Sequence, residues 1–370
     1  MILHQTLMLI MKYKSFLFFT LACLLFFNCK AQLPKEYNGM PPLIKKLFKD
    51  FAFLNGGTFI AGVEMKYYKA QDQDSTLLLL NGKSFISINS FSIFNHEVTN
   101  LEYHDFIGWV KKNNPENELV YAFNEKNDLI KTFITPDSLS WLQNPYFIND
   151  ESMIQHYFSG KAYSNYPLVE VSFWQAMAYC KWKSQMINEA LNKHFNNKPP
   201  FTVEVNLPTA AEWEYAAVDN KSIEKQTVFI WGDLLKDKNG KYQANFGSII
   251  DNNEVFLKPM DKDGFLLVAP VKSFKPNLNG LFDMAGNVAE WTLDNAYIPN
   301  SFLKEEENLV DFIAHNLKVL KNDADKMSIT KGGSFIDAPI YLMTGVKTAH
   351  KKDIGYYNVG FRPVLYFLKK

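Results

Sequence analysis

One short run limits what this chain can become more than any other. Gly280-Leu281-Phe282-Asp283-Met284-Ala285-Gly286-Asn287-Val288-Ala289-Glu290-Trp291 carries an acid, Glu290, at the end of an apolar, glycine-bearing segment. A carboxylate drawn into a core by such neighbours is costly unless it is paired, hydrogen-bonded or bound to a metal ion. The fold must therefore bring partners to Glu290 from elsewhere. Arg362 is conspicuous, because it is the only arginine in the chain. A guanidinium can grip a carboxylate through two parallel hydrogen bonds, which a lysine cannot do. The sequence reading gives Arg362 a structural pair with a buried acid such as Glu214, with ligand binding as the alternative.

Composition narrows the class. Apolar residues make up 47% of the 370 and aromatic residues 15%, enough for a large core and too many for a disordered chain. Lysine plus arginine and aspartate plus glutamate number 39 each, so no net field steers the chain toward nucleic acid, and no such partner is expected. Cys23 and Cys29 lie near the amino terminus and Cys180 alone in the body, which excludes a disulfide framework or a cysteine-rich metal site. Cys180, on an apolar helix face, reads as a small core residue.

Residues 1–29 read as an address. After Met11, a better start than Met1, Lys12 and Lys14 precede an apolar run from Phe16 to Phe27. That is the order of a secretory signal, and the run is short for a membrane span. Cys29 follows, where a lipoprotein signal peptidase would leave it as a lipidated first residue; cleavage near Ala31 is the alternative. The arrangement resembles the loose lipobox of envelope lipoproteins from gliding, Gram-negative bacteria, with bulky Phe27 and Asn28 departing from the small residues usual there. Residues 30–50, with Pro34, Pro41 and Pro42, read as a tether. One domain is then expected over 51–370.

Within it, Phe53 to Gly62 reads as two strands about a glycine turn, and Ser84 to Phe94 alternates as a strand. Thr99 is placed to cap a helix with Leu101, Phe106 and Trp109 on one face, and Ser172 one with Trp174, Met177, Ala178 and Trp182. Thr209-Ala210-Ala211-Glu212 has the form of a capping box. Loops rich in Asn, Gly and aromatics join these elements, so the expected class is α+β. The tryptophans Trp174, Trp182, Trp213, Trp231 and Trp291 read as core, with a ligand groove as the alternative.

Several of these runs fall in a familiar order: Gly56-Gly57-Thr58-Phe59, Glu97-Val98-Thr99-Asn100, Pro167 to Trp174, Leu207 to Ala217, Trp231-Gly232, Ala244-Asn245-Phe246, Gly280 to Trp291, Gly332-Gly333-Ser334-Phe335 and Gly360-Phe361-Arg362-Pro363-Val364. Together they resemble the sulfatase-modifying-factor, or formylglycine-generating-enzyme, family, whose single irregular domain is related to the C-type lectin-like fold. Thr135 to Trp141, Met153 to Phe158 and Asn165-Tyr166-Pro167 further resemble gliding-motility lipoproteins of the type IX secretion apparatus. That branch implies an outer-membrane lipoprotein facing the periplasm, anchored by lipid, whose partners are envelope, secretion or motility proteins.

The resemblance also says what is missing. The family's oxidases hold Cu(I) between two thiolates after the Gly-Gly-Ser motif, and soft Cu(I) needs soft ligands. Here those positions are Asp337 and Leu342. The iron-dependent relatives need a histidine cluster, whereas His4, His96, His104, His156, His194, His315 and His350 are scattered. No copper or iron is expected, and the implied role is a non-catalytic scaffold. The alternatives are an oxidase or oxygenase with altered ligands, perhaps using Asp337, and a carbohydrate- or peptide-binding module. The family's structural Ca²⁺ would match the Asp283 and Glu290 side chains with the Gly286 and Val288 carbonyls. A second Ca²⁺ would match the Asn245 and Asp263 side chains with the Phe246 and Phe265 carbonyls, oxygen ligands that suit calcium. For both sets the alternative is hydrogen bonding and capping alone. Residues 300–326 read as an insertion with an amphipathic helical pattern, a docking element or a solvated flap.

Overall fold

The structure is a computed structural model and describes residues 40–62, 83–114, 119–123, 129–143, 151–218, 227–251, 254–257, 264–296 and 324–369. In chain order its strands are β1 (Phe51–Leu54), β2 (Gly57–Ala61), β3 (Ser84–Ile88), β4 (Phe91–Phe94), β5 (Leu119–Phe123), β6 (Leu129–Phe133) and β7 (Phe201–Asn206), then β8 (Ser248–Asp251), β9 (Glu254–Leu257), β10 (Ala289–Asn295), β11 (Met327–Lys331), β12 (Thr348–Lys351), β13 (Val359–Gly360) and β14 (Val364–Lys369). The α-helices are α1 (Pro42–Lys45), α2 (Asn100–Asn113), α3 (Glu151–His156), α4 (Phe173–His194) and α5 (Ala210–Ala217). Short strands, few helices and irregular connections make it the mixed α+β arrangement that the sequence predicts.

Two four-stranded sheets organise the chain. One has the order β1-β4-β14-β7 and is antiparallel throughout; the other, β12-β11-β10-β13, is antiparallel except for the β10–β13 pair. Ser84 to Phe94 is two strands rather than one, because β3 pairs with β2 while β4 joins the first sheet between β1 and β14. Gly56 permits this closeness: a Cβ there would lie 2.4 Å from the Ile88 carbonyl oxygen.

The helix starts follow from local chemistry. Thr99, Ser172 and Thr209 each accept a hydrogen bond from the amide three residues on, and Glu102, Gln175 and Glu212 reach back to the capping residue's amide. Each such cap is worth roughly 1 kcal/mol. In α2 the buried face is Tyr103, Phe106, Ile107 and Val110, while Leu101 is exposed and Trp109 half-buried. The predicted Leu101-Phe106-Trp109 face was thus rotated from the true one, whose i, i+3, i+4, i+7 spacing begins at Tyr103. In α4, Trp174, Ala178 and Trp182 are buried as expected.

Helix α4 also closes a sheet edge. Strand β7 is an outer strand of its sheet, and the Asn188 side chain both donates to the Val203 carbonyl and accepts from its amide, at 2.7 and 2.9 Å. One turn earlier, Ser184 Oγ does the same at Val205, at 3.2 and 2.7 Å. Side chains thus occupy backbone groups that would otherwise invite another strand.

The tether expected over 30–50 does not reach that far. Met40, Ile44 and Phe48 are buried, Phe48 stacks on Phe367 with ring centroids 5.9 Å apart, and the compact unit begins at Met40. A stripe of i, i+4, i+8 apolar residues outweighs the prolines beside it. Cys29 and Met11 lie outside the described residues, as does most of the 300–326 insertion; its last residues, Ala324–Lys326, form a 3₁₀ turn into β11. Among the described residues no helix is long and apolar enough to cross a membrane.

Candidate functional site

Two ion pairs lie at the centre of the fold, on either side of Trp213. Glu290 of β10 receives Arg362 in a fork: Nε donates to Oε2 at 2.7 Å and Nη2 to Oε1 at 2.6 Å. Trp213 Nε1 adds a third donor to Oε2 at 2.7 Å. Arg362 is fully buried, and its remaining donors reach the carbonyls of Phe94 at 3.3 Å and Phe282 at 2.9 Å. Its neighbours are therefore oxygen atoms, the surroundings a cation requires.

The second pair corrects the expected partner of Arg362. Glu214, at the middle of α5, does not meet Arg362 but Lys331, whose Nζ donates to Oε2 at 3.1 Å and to the Thr344 carbonyl at 2.5 Å. The Gly62 amide takes the other Glu214 oxygen at 2.6 Å. Lys331 Nζ also sits 5.5 Å from the centroid of the Trp213 ring, a cation–π contact. Burial pulls the Lys331 ammonium down from its ordinary range, and Glu214 opposes that shift.

Two further buried acids, Glu97 and Glu170, make no ion pair among the described residues, although Arg362 lies near enough to Glu97 to oppose its shift. Glu97 takes the Asn287 side-chain amide on Oε1 at 3.0 Å, while its Oε2 is buried without a hydrogen-bond partner. Burial pushes its carboxyl well above the usual carboxylate range, and Asp283 adds to the shift. Glu170 was not singled out from the sequence, although Leu168-Val169-Glu170-Val171 carries the same signal as Glu290, an acid between apolar residues. It is buried with φ of +64°, a conformation costly for a residue with a side chain. Ser140 Oγ donates to its Oε1 at 3.3 Å, and its carbonyl accepts the Asp137 amide at 3.1 Å, which fixes the 135–141 segment. Burial pushes the Glu170 carboxyl up to about 9; the Ser140 hydroxyl opposes the shift and Asp137 reinforces it.

Both positions after Gly-Gly-Ser are engaged within the fold. Leu342 is buried in the main core cluster with Trp213, Phe246, Met284 and Val364. Asp337 Oδ2 accepts the Ser334 hydroxyl at 2.6 Å, and Ser334 Oγ in turn accepts Asn358 Nδ2 at 3.2 Å. Cys180 is buried, and burial raises its thiol. His350, with Trp291 and Tyr356 against its ring, is lowered to about 4 by burial; His104 Nε2 bonds the Phe158 carbonyl oxygen at 2.7 Å, and His96 stacks on Phe94. Trp174, Trp182, Trp213 and Trp291 are core; Trp231 is half-buried and stacks on Phe229.

The sequence profile of the sulfatase-modifying factor enzyme 1-like domain matches residues 39–366. The chain belongs to that family. Mouse formylglycine-generating enzyme is 30% identical over 202 residues, 54% of this chain and 44% of that protein. The cattle protein named inactive C-alpha-formylglycine-generating enzyme 2 is 34% identical over 129 residues, 34% of this chain and 32% of its own length. The chaperone protein LppX of Paenibacillus barcinonensis is 30% identical over 156 residues, 34% of this chain and 50% of its own. These alignments span about half or less of each curated relative. Among solved structures, PvdO from Pseudomonas aeruginosa superposes with a TM-score of 0.47 at 16% identity, covering 86% of this chain and 95% of that one.

The two calcium sets of this sulfatase-modifying-factor domain fare differently. Around Asp283, Gly286, Val288 and Glu290 the charged groups are already engaged: Glu290 by Arg362 and Trp213, Asp283 by the amides of Lys272 at 2.5 Å and Phe274 at 3.4 Å. That set does not fit a divalent cation. Gly286, at φ +73°, has a structural duty instead, since a Cβ there would lie 2.1 Å from the Asn245 carbonyl oxygen. In the second set, Asn245 Nδ2 donates to the Leu267 carbonyl at 2.8 Å, while its Oδ1 is buried with no partner. An orphaned carbonyl-type oxygen is what a hard cation would use; Asp263 lies outside the described residues. Among the described residues no three His, Cys, Asp or Glu side chains come together to hold a metal ion.

Proposed function

We propose that this member of the family is a non-catalytic envelope lipoprotein, anchored through Cys29 and facing the periplasm from the outer membrane. It would act as a structural and interaction scaffold in gliding motility or type IX protein secretion. The observation that carries the reading is the pair Asp337 and Leu342. Leu342 is an alkyl group sunk in the core, and the oxygen of Asp337 is tied to Ser334, so the copper-holding positions are filled by groups unsuited to Cu(I). The lone body cysteine, Cys180, is buried and held as a thiol, which gives no second source of thiolate. That a relative carries the name of an inactive formylglycine-generating enzyme supports the same reading. A structural Ca²⁺ at Asn245, Phe246, Asp263 and Phe265 belongs to this proposal, held by the Asn245 and Asp263 side chains and the two carbonyls.

Purification of the full chain without chelator, followed by elemental analysis and copper(I) titration against a competing chelator, tests it. The expected result is no stoichiometric copper or iron. Stoichiometric redox metal, lost in Asp337→Ala, would make the chain an oxidase or oxygenase with altered ligands. The partner reading is tested by crosslinked co-purification from the native envelope, where recovery without any secretion or motility component would overturn it.

A further inference from the structure

We infer that in this chain a guanidinium stands in for a metal ion at Glu290, so that calcium binding, wherever it occurs, does not use the Glu290 side chain. Three observations lead there. First, Arg362 makes the fork on Glu290 at 2.6 and 2.7 Å, and Trp213 Nε1 occupies Oε2 as well. Three of about four carboxylate lone-pair positions are thereby filled. A divalent ion on the one left, at Oε1, would lie against Nη2 and be repelled by it. Second, the other donors of Arg362 point at the carbonyl oxygens of Phe94 and Phe282, with that of Asp283 at 3.5 Å. The guanidinium thus sits in an all-oxygen cage drawn from several segments, as a bound cation would. If calcium took Glu290, Arg362 would be left fully buried with carbonyls alone, a buried charge without its counter-ion.

Third, the residue choice is selective. Arg362 is the only arginine among 39 basic residues. At the other central pair the chain uses lysine, which meets one oxygen of Glu214. Arginine appears at the position where a planar fork, and a charge that burial cannot remove, is required. A chain that used calcium at Glu290 would have no need of either property there.

The test is the number of calcium ions per full-length chain, read by elemental analysis after equilibration with calcium and gel filtration. Zero or one ion is expected, and two ions, matching both predicted sets, would overturn the inference. If one ion binds, Glu290→Gln should retain it, whereas its loss from a folded Glu290→Gln variant would overturn the inference. Should that variant fail to fold, Asn245→Ala decides the matter: loss of the ion supports the assignment and retention overturns it. The two readings fail separately: copper binding would sink the non-catalytic reading and leave the calcium count untouched, whereas a count of zero would remove only the ion proposed at Asn245.

Discussion

Glu290 and Glu170 are both acids lodged between apolar neighbours, and the fold treats them in opposite ways. Glu290 is met by a buried guanidinium and an indole N–H; Glu170 has no cation, only the Ser140 hydroxyl and the Trp141 indole to oppose the effect of burial, and sits at a strained φ with its carboxyl raised to about 9. One acid is paired with a cation delivered to it, and the other has none, so that burial raises its carboxyl. The difference is one of address. Glu290 lies on β10 between the ends of β11 and β13, where Arg362, two residues beyond β13, arrives from the carboxy-terminal end of the chain. Glu170 lies on an irregular stretch against the 135–141 segment, which has no cation to offer in its Ser138–Gln143 turn.

The sharpest way to break this contrast is to remove the guanidinium. Arg362→Met should lower stability by about 3–5 kcal/mol, read as the denaturation midpoint, because it strands Glu290 in the core. The double variant Arg362→Met/Glu290→Leu should recover much of that loss; failure to recover any would mean that Arg362 acts mainly through its carbonyl contacts. Lys331→Met should cost somewhat less, about 3 kcal/mol in the same measurement, since the Gly62 amide still serves Glu214.

Glu170→Gln should act through pH. The folded chain holds a proton on Glu170 that the unfolded chain loses in the ordinary carboxylate range. Stability therefore falls as pH rises from that range to about 9, and levels off above it. Glu170→Gln should flatten the slope of stability against pH across that window. An unchanged slope would show that Glu170 ionises normally. The smallest effect expected is at a site outside both classes: Thr209→Ala, which removes a capping box, should cost about 1 kcal/mol in thermal unfolding. If it matched the loss from Lys331→Met, buried charge would not be what sets the two classes apart.

Much of this was legible in the chain because its signals are local. The N-cap at Ser172, the capping box at Thr209, the glycine turn at Gly56 and the apolar run ending in Glu290 each depend on residues a few positions apart, and each reads directly. The burial of Met40, Ile44 and Phe48 was equally local but masked by neighbouring prolines. What failed was partner choice. Nothing in the order of residues says that Arg362 meets Glu290 and Lys331 meets Glu214 rather than the reverse.

The sequence by itself placed an acid, Glu290, among apolar neighbours, supplied a single arginine suited to a bidentate contact, and put a carboxylate and an alkyl side chain, Asp337 and Leu342, after Gly-Gly-Ser. Only the tertiary structure decided which acid receives a cation and which a proton, and that the first calcium set is closed while Asn245 keeps an unpartnered oxygen. The physical reason is that charge type is a property of a residue. Compensation of a charge depends on a few ångströms between segments far apart in the chain, 117 positions for Glu214 and Lys331, and those distances exist only after the sheets have paired.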